Sequence, residues 1–299
     1  MYSIKHTQNL NKKLDFIEIE DPQKTTYAKI YLNLGGGLQE LILNNRPIIK
    51  DLHPLTYNNT YASSILFPFA NRIEDGIYNF EGKQYFLDVN QKEENNALHG
   101  FVYNKTFELI EQKNTLEAAE VTLRYQEQKQ AKGFPYTYTI ILKYILTKDS
   151  IDLNVTVKNT DTKTFPFTIG WHPYFASSDL FNSSVNFNSN KTVSFNKKNI
   201  TLGLKDISLD GKFKIENKTL DDCFVLDTNE ISFETPKHSF VLTSSEKDCF
   251  LQLYTPPHPN TIAIEPTTGI SDSFNNGIGL KTLKPNESYN IIWNLKIND

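Results

Sequence analysis

Arginine is almost missing from this chain. Of its 31 lysines and arginines, only Arg46, Arg72 and Arg124 are arginines. The guanidinium is the usual fork for bidentate phosphate recognition, so its scarcity argues against a clamp for phosphorylated substrates. A long basic run is also absent and the formal net charge is −4, which makes nucleic acid or an anionic membrane a poor partner. Cysteine occurs twice, as Cys223 and Cys249, without C-x-x-C spacing, so neither a disulfide framework nor a zinc knuckle is indicated. The opening MYSIKHTQNLNKKLDFIEIE has no apolar run of the secretory type, and no stretch approaches a membrane span. A soluble, cytoplasmic protein is therefore expected. The six histidines, at positions 6, 53, 99, 172, 238 and 258, include no H-x-H or H-x-x-x-H pair that would suggest a metal site. There is no G-x-S-x-G turn, and LGGGLQ at 34–39 lacks the Lys-Ser/Thr of a phosphate-cradling loop.

What the chain does have is strand. With 38% hydrophobic and 22% charged residues over 299 positions, a sizeable core is expected and disorder is not. SIDLNVTVKN alternates Ile151, Leu153, Val155 and Val157 with Asp152, Asn154, Thr156 and Lys158, a clean period of two. YTYTIILKYILT lies just upstream, and the intervening KDS reads as a hairpin turn. GIYNFEGKQYFLDVN is a second hairpin, turning at Glu81-Gly82. Further strands are expected over Leu14–Glu20, Ala28–Leu34, Gln39–Leu43, Val121–Tyr125, Ser239–Thr243, Phe250–Tyr254, Thr261–Glu265 and Tyr289–Ile297, with helical character confined to a turn near Ala62–Phe67. Strand follows strand with turn residues between, the pattern of an antiparallel sandwich or barrel and not of βαβ units. No repeat or linker divides the chain, so one all-β domain over residues 1–299 is expected.

Four segments put reactive side chains beside turn-formers and aromatics. In LFPFANRIEDG, Arg72 is either a surface cation paired with Glu74 or Asp75, or a ligand-binding residue. In NNALHGF, His99 precedes Gly100, whose lack of a side chain suits a tight backbone site. In TIGWHPYFAS, His172 is fenced by Trp171, Pro173, Tyr174 and Phe175; on a strand it would project opposite to Trp171 and Pro173. In TIAIEPTTGISDSF, Glu265 closes an apolar run against Pro266, where a carboxylate is costly unless it is paired or functional.

Together FANRIEDGIYNFEGKQYFLDVN, ALHGF, GWHPYF, LDDCF and IEPTTGISDSFNNGIGL resemble, in content and in order, the motifs of the aldose 1-epimerase (galactose mutarotase) family. The resemblance runs from about Gly35 to the C-terminus. It implies a large antiparallel β-sandwich, the galactose mutarotase-like supersandwich, with a sugar in an open cleft and no cofactor or metal. It also implies His172 and Glu265 as the catalytic pair, and Arg72, His99 and Asp221 as sugar ligands. Asp222 is the alternative within the doubled acid, and Trp171 or Tyr174 would border or support the pocket. GWHPYF and EPTTGISDSF differ from the galactose-type enzymes, so the resemblance leaves the preferred sugar open.

The chemistry fits those residue types. Anomer exchange needs a base at the C1 hydroxyl and an acid at the ring oxygen, the roles reversing on closure. A carboxylate suits the first role and an imidazolium the second, with both pKa values expected near the working pH. A free aldohexose is the expected partner, for a monomer or homodimer. The competing readings are a hexose-6-phosphate 1-epimerase, a sugar-binding protein without activity, and a glycoside hydrolase or lyase, the last requiring two opposed carboxylates.

Overall fold

The computed structural model describes residues 1–9 and 14–298 and is built almost wholly of antiparallel strands. The first five, between Ser3 and Ile49, form a meander of consecutive neighbours. Most of the remaining strands join one sheet of fifteen. The apolar faces of the two sheets meet in a common core: Ile17, Ile19, Ile30 and Leu41 from the meander, Val121, Leu123, Ile140 and Leu142 from the large sheet. The Tyr144 hydroxyl, buried between them, donates to the Gly36 carbonyl oxygen at 2.7 Å. The alternation seen in SIDLNVTVKN is the reason this works. Along Ser150–Asn159 every second residue is buried, and the strand pairs with Tyr138–Thr147 on one side and Ser288–Ile297 on the other.

The expected strands form, with some differences at their ends. Leu14–Glu20 and Phe250–Tyr254 stand as read. The strand expected over 28–34 covers Tyr27–Tyr31, because positive-φ glycines 35 and 36 turn the chain soon after. Two readings are corrected. Helical turns lie at Tyr57–Thr60 and Ser273–Asn276, not at residues 62–67, where Ile65–Leu66 is instead a short strand pairing with Gly170–Trp171. The strand bearing Glu265 does not end there but continues through Pro266 to Thr267.

The long hairpin of Ser184–Phe195 with Thr201–Lys214 was not expected. Its second strand buries no residue fully, and its alternation of half-buried Ile207, Leu209 and Phe213 with exposed Ser208, Asp210 and Lys212 covers only its second half. Cys223 and Cys249 are free and buried. Among the described residues, no helix is long and apolar enough to cross a membrane.

Candidate active site

Three adjacent strands of the large sheet, Asp221–Val225, Phe250–Tyr254 and Thr261–Thr267, carry one wall of a cleft of about 600 Å³ counting its open mouth. That size is ordinary for a small-molecule site. Register aligns the wall: Gln252 stands opposite Glu265, and Asp221 opposite Tyr254. Strand alternation puts Asp221 on the cleft side while Asp222 does not line it. Asp221 accepts from Gln252 Nε2 at 2.7 Å. Crowding by the wall raises the Asp221 pKa although solvent reaches the residue; Arg72 opposes this shift, and Asp222 and Glu94 add to it.

His172 arrives from the next strands. It occupies a two-residue break between Gly170–Trp171 and Tyr174–Ala176. Its backbone N–H donates to Ser64 O at 3.1 Å and its carbonyl accepts from Ser63 N–H at 2.7 Å, so the break is fixed at both main-chain groups. The imidazole stacks on Tyr174 at 4.9 Å between ring centroids, and Tyr174 donates to the Thr60 carbonyl oxygen at 3.1 Å. His172 Nε2 lies 3.4 Å from Glu265 Oε1, with residue exposures of only 4% and 3%. Ninety-three positions of chain separate two groups that face each other.

Arg72 and His99 enter from the opposite side on loops tied to one another. Short strands Arg72–Glu74 and Asn96–Leu98 pair with Leu98 opposite Arg72, and the His99 N–H continues the ladder to the Asn71 carbonyl oxygen at 2.9 Å. Asn71 and His99 both take positive φ, and Gly100 follows at +70°. A side chain at Gly100 could not fit: a Cβ there would lie 2.1 Å from Phe67 O. Gly100→Ala is accordingly expected to destabilise the fold by about 2–3 kcal/mol, from strain and backbone clash together. Urea unfolding of the variant measures this, and an unchanged midpoint would contradict it.

Arg72 does not pair with Glu74 or Asp75; those acids face Lys198. Its Nε instead bonds Glu94 at 3.1 Å and Gln91 at 3.0 Å, and a terminal nitrogen bonds Asn71 Oδ1 at 2.8 Å. Three partners hold the guanidinium against the cleft. Among the residues described there, it is the one side chain of permanent positive charge.

Trp171 requires a correction as a pocket border. It points away from the cleft, 1% exposed, stacked on Trp293 at 6.1 Å and edge-on to Phe175. Tyr174 does line the cleft. The alternation about His172 sorts these rings: Trp171 faces the core and His172 the cleft.

Sequence reasoning missed Gln252, Asn71 and Tyr254. Gln252 is 5% exposed and bridges the two halves of the site, bonding Asp221 and accepting from Asn71 Nδ2 at 3.3 Å. Its signal was present in FLQLY, one amide inside an otherwise apolar and aromatic strand, since a buried polar group must find partners.

Burial governs the electrostatics. Desolvation lowers the His172 pKa to about 3 and raises that of Glu265 well above the carboxylate range, Asp221 adding to the rise and Arg72 opposing it. His99 is likewise pushed well below its ordinary value by burial, then by His172 and Arg72. The expectation of two pKa values near neutrality is therefore corrected: burial drives them apart. Burial thus disfavours the charged form of each group. Among the described residues, no three His, Cys, Asp or Glu side chains are grouped to hold a metal ion.

The antiparallel sandwich thus holds a buried histidine–glutamate pair in a hydroxyl- and amide-rich cleft. A model of the aldose 1-epimerase family matches residues 15–296, so the chain belongs to that family. YihR, an uncharacterised protein of Escherichia coli K12, is 24% identical over 282 residues, 90% of each chain. The fold matches a galactose mutarotase-like protein from Clostridium acetobutylicum with a TM-score of 0.86 at 22% identity, over 99% of this chain and 98% of that one. It also matches a galactose 1-epimerase from Lactobacillus acidophilus NCFM, with a TM-score of 0.81 at 17% identity, over 100% and 98%.

Proposed function

We propose that the protein interconverts the α and β anomers of a free aldohexose. The observation that carries this is the His172–Glu265 pair, two buried groups 3.4 Å apart that both line a polar cleft. Ring opening needs one proton taken from the C1 hydroxyl and one given to the ring oxygen. The pair can do both without exchange with bulk water. Sugar hydroxyls donating to Glu265 favour its carboxylate, which moves the resident proton to His172. Glu265 then removes the C1 hydroxyl proton while His172 protonates the ring oxygen. Rotation about C1–C2 and reclosure in the reverse sense give the other anomer. Arg72, His99 and Asp221 hydrogen-bond the sugar, and Gln252 with Asn71 keeps their side chains in place.

The cleft favours a free sugar over a sugar phosphate. Its permanent cation, Arg72, is already bonded to Glu94, and Asp221 and Glu265 add further acidic groups. A phosphate dianion would find one committed guanidinium among carboxyls.

The test is polarimetry on freshly dissolved α-D-glucose and α-D-galactose, with glucose 6-phosphate alongside. The free sugars are expected to equilibrate faster; a faster rate on the phosphate would favour the phosphosugar reading. Saturable binding without acceleration would make this a sugar-binding protein. The one-proton state persists above the depressed His172 pKa and below the raised Glu265 pKa. Thus kcat/KM is expected to stay flat across neutrality, falling in acid as His172 is protonated and in alkali as Glu265 ionises. A single inflection near 6.5 would contradict this protonation pattern.

A further inference from the structure

Positive charge collects at one place away from the reaction cleft. A hollow of about 650 Å³ counting its mouth is bordered by Arg46, Lys50, Lys237 and His238, and by Ser177 and Ser178. None of these residues lines the cleft of His172 and Glu265. The chain carries a formal net charge of −4 and has only three arginines, so its general composition does not account for the gathering.

Three segments distant in sequence bring the charges together, and each is fixed. Arg46 opens the strand Arg46–Ile49 and stands opposite Leu43 across a tight turn, in which Asn44 and Asn45 take positive φ. Lys237 and His238 sit in the turn between Glu230–Glu234 and Ser239–Ser244. That turn is closed by Thr235, whose N–H donates to the His238 carbonyl oxygen at 2.9 Å and whose Oγ1 accepts from the His238 N–H at 3.0 Å. Ser177 follows the strand Tyr174–Ala176, and its N–H donates to the Asn260 carbonyl oxygen at 2.9 Å.

These cations lack the partners found elsewhere on the molecule. Lys198 and Lys212 each face a carboxylate, whereas Arg46, Lys50 and Lys237 form no ion pair among the described residues. Arg46 donates from one terminal nitrogen to the Asn298 carbonyl oxygen at 2.9 Å, which steadies the guanidinium and leaves N–H groups to spare. The nearby acid is Glu234, in an adjoining hollow that shares Arg46, Lys237 and His238. Its carboxylate is already held by Lys212 Nζ at 2.9 Å and Asn186 Nδ2 at 2.8 Å. His238 has its Nε2 buried without a hydrogen-bond partner. Burial, then Arg46 and Lys50, lowers its pKa, so at neutral pH it offers a ring N–H and adds no charge.

We propose that this hollow binds a phosphoryl group, borne by inorganic phosphate or by a small phosphorylated metabolite. Three unmatched positive charges suit a dianion better than a carboxylate, which carries one charge on two oxygens. The guanidinium fork can take two phosphoryl oxygens, with the lysines as point charges and the serine hydroxyls as further donors. The inference does not rest on the mutarotase reading, because the two sites share no residue.

The experiment is calorimetric titration with inorganic phosphate and with D-glucose 6-phosphate, at ionic strength held constant with sodium chloride. Wild type, Lys237→Gln, the double variant Arg46→Gln/Lys237→Gln and Arg72→Gln are compared, each with its unfolding midpoint. Saturable binding of at least one ligand is expected, with a Kd of about 1 mM or tighter. Lys237→Gln, a change on an exposed side chain, should weaken it several-fold, and the double variant about tenfold or more. Arg72→Gln, in the reaction cleft, should leave it unchanged. Tighter binding of glucose 6-phosphate would make the ligand a phosphorylated metabolite, and tighter binding of phosphate would make it the free ion. The proposal is overturned if neither ligand saturates, if folded Lys237→Gln protein and the double variant bind as wild type does, or if Arg72→Gln is the change that removes binding.

Discussion

Glu265→Gln is expected to abolish most of the activity while making the folded protein more stable at neutral pH. On the catalytic side, an amide can neither accept the C1 hydroxyl proton nor return it, so kcat should fall by about 10²–10⁴. His172→Asn should fall as far, and the double variant little further, because in the proposed cycle one proton passes through both groups and either loss stops it. The stability half follows from burial. The folded pKa of Glu265 lies above its unfolded value, so as pH rises past about 4.5 the unfolded chain releases a proton that the folded chain keeps. From there up to the folded pKa the folded state is penalised, and glutamine removes the penalty. For His172 the sign is opposite. Its folded pKa near 3 lies below the usual 6.5, so the penalty grows as pH falls below 6.5, and His172→Asn should stabilise chiefly in acid. Urea midpoints at pH 5 and pH 7.5, measured beside polarimetric rates, separate the two. A Glu265→Gln protein that is inactive and less stable at pH 7.5 would show that the carboxyl is held as a structural ion pair instead.

The second large effect lies behind the cleft. Trp171→Ala should destabilise the protein by about 3–5 kcal/mol, the range for emptying a buried indole site. Trp171 fills the core beneath the break that carries His172, against Trp293 and Phe175. Its loss leaves a void under the His172 main chain, so activity should fall below the temperature at which unfolding begins. Trp171→Phe, which keeps most of the volume, should lose less of both. Equal loss from the two substitutions would mean that the ring's volume is not what supports the histidine.

How far the sequence revealed the molecule depended on burial. Strands with one face on the core, such as Ser150–Asn159, show period-two alternation and were legible. Thr201–Lys214 has only a half-buried face and alternates only from Ile207 onward, and it was not. In the site, His172, Glu265, Arg72 and His99 were legible as reactive residues beside turns or apolar runs, Asp221 only through the family resemblance, and all five line one cleft. The direction of Trp171 was not, because aromatic side chains suit core and pocket equally until alternation is fixed by an adjacent residue. The partner of Arg72 was hidden as well. Glu94 lies twenty-two positions away, whereas Glu74 and Asp75 were near in sequence and turned elsewhere. Nor could the chain alone announce the depth of burial that separates the pKa values of His172 and Glu265.

The long hairpin has a consequence for how the protein keeps to itself. Its outer strand, Thr201–Lys214, pairs only with Ser184–Phe195 among the described residues and so ends that side of the sheet with unpaired main-chain groups. Such an edge is a template for a stray strand from another molecule. Here Lys205, Asp206, Asp210, Lys212 and Lys214 crowd it with charge of both signs. Gly203 and Gly211 take φ values of +153° and +86°, and the register slips twice along the pair. A bent, irregular and charged border gives an incoming strand no continuous ladder to join. The charges along this border thus protect the sheet from edge-to-edge aggregation.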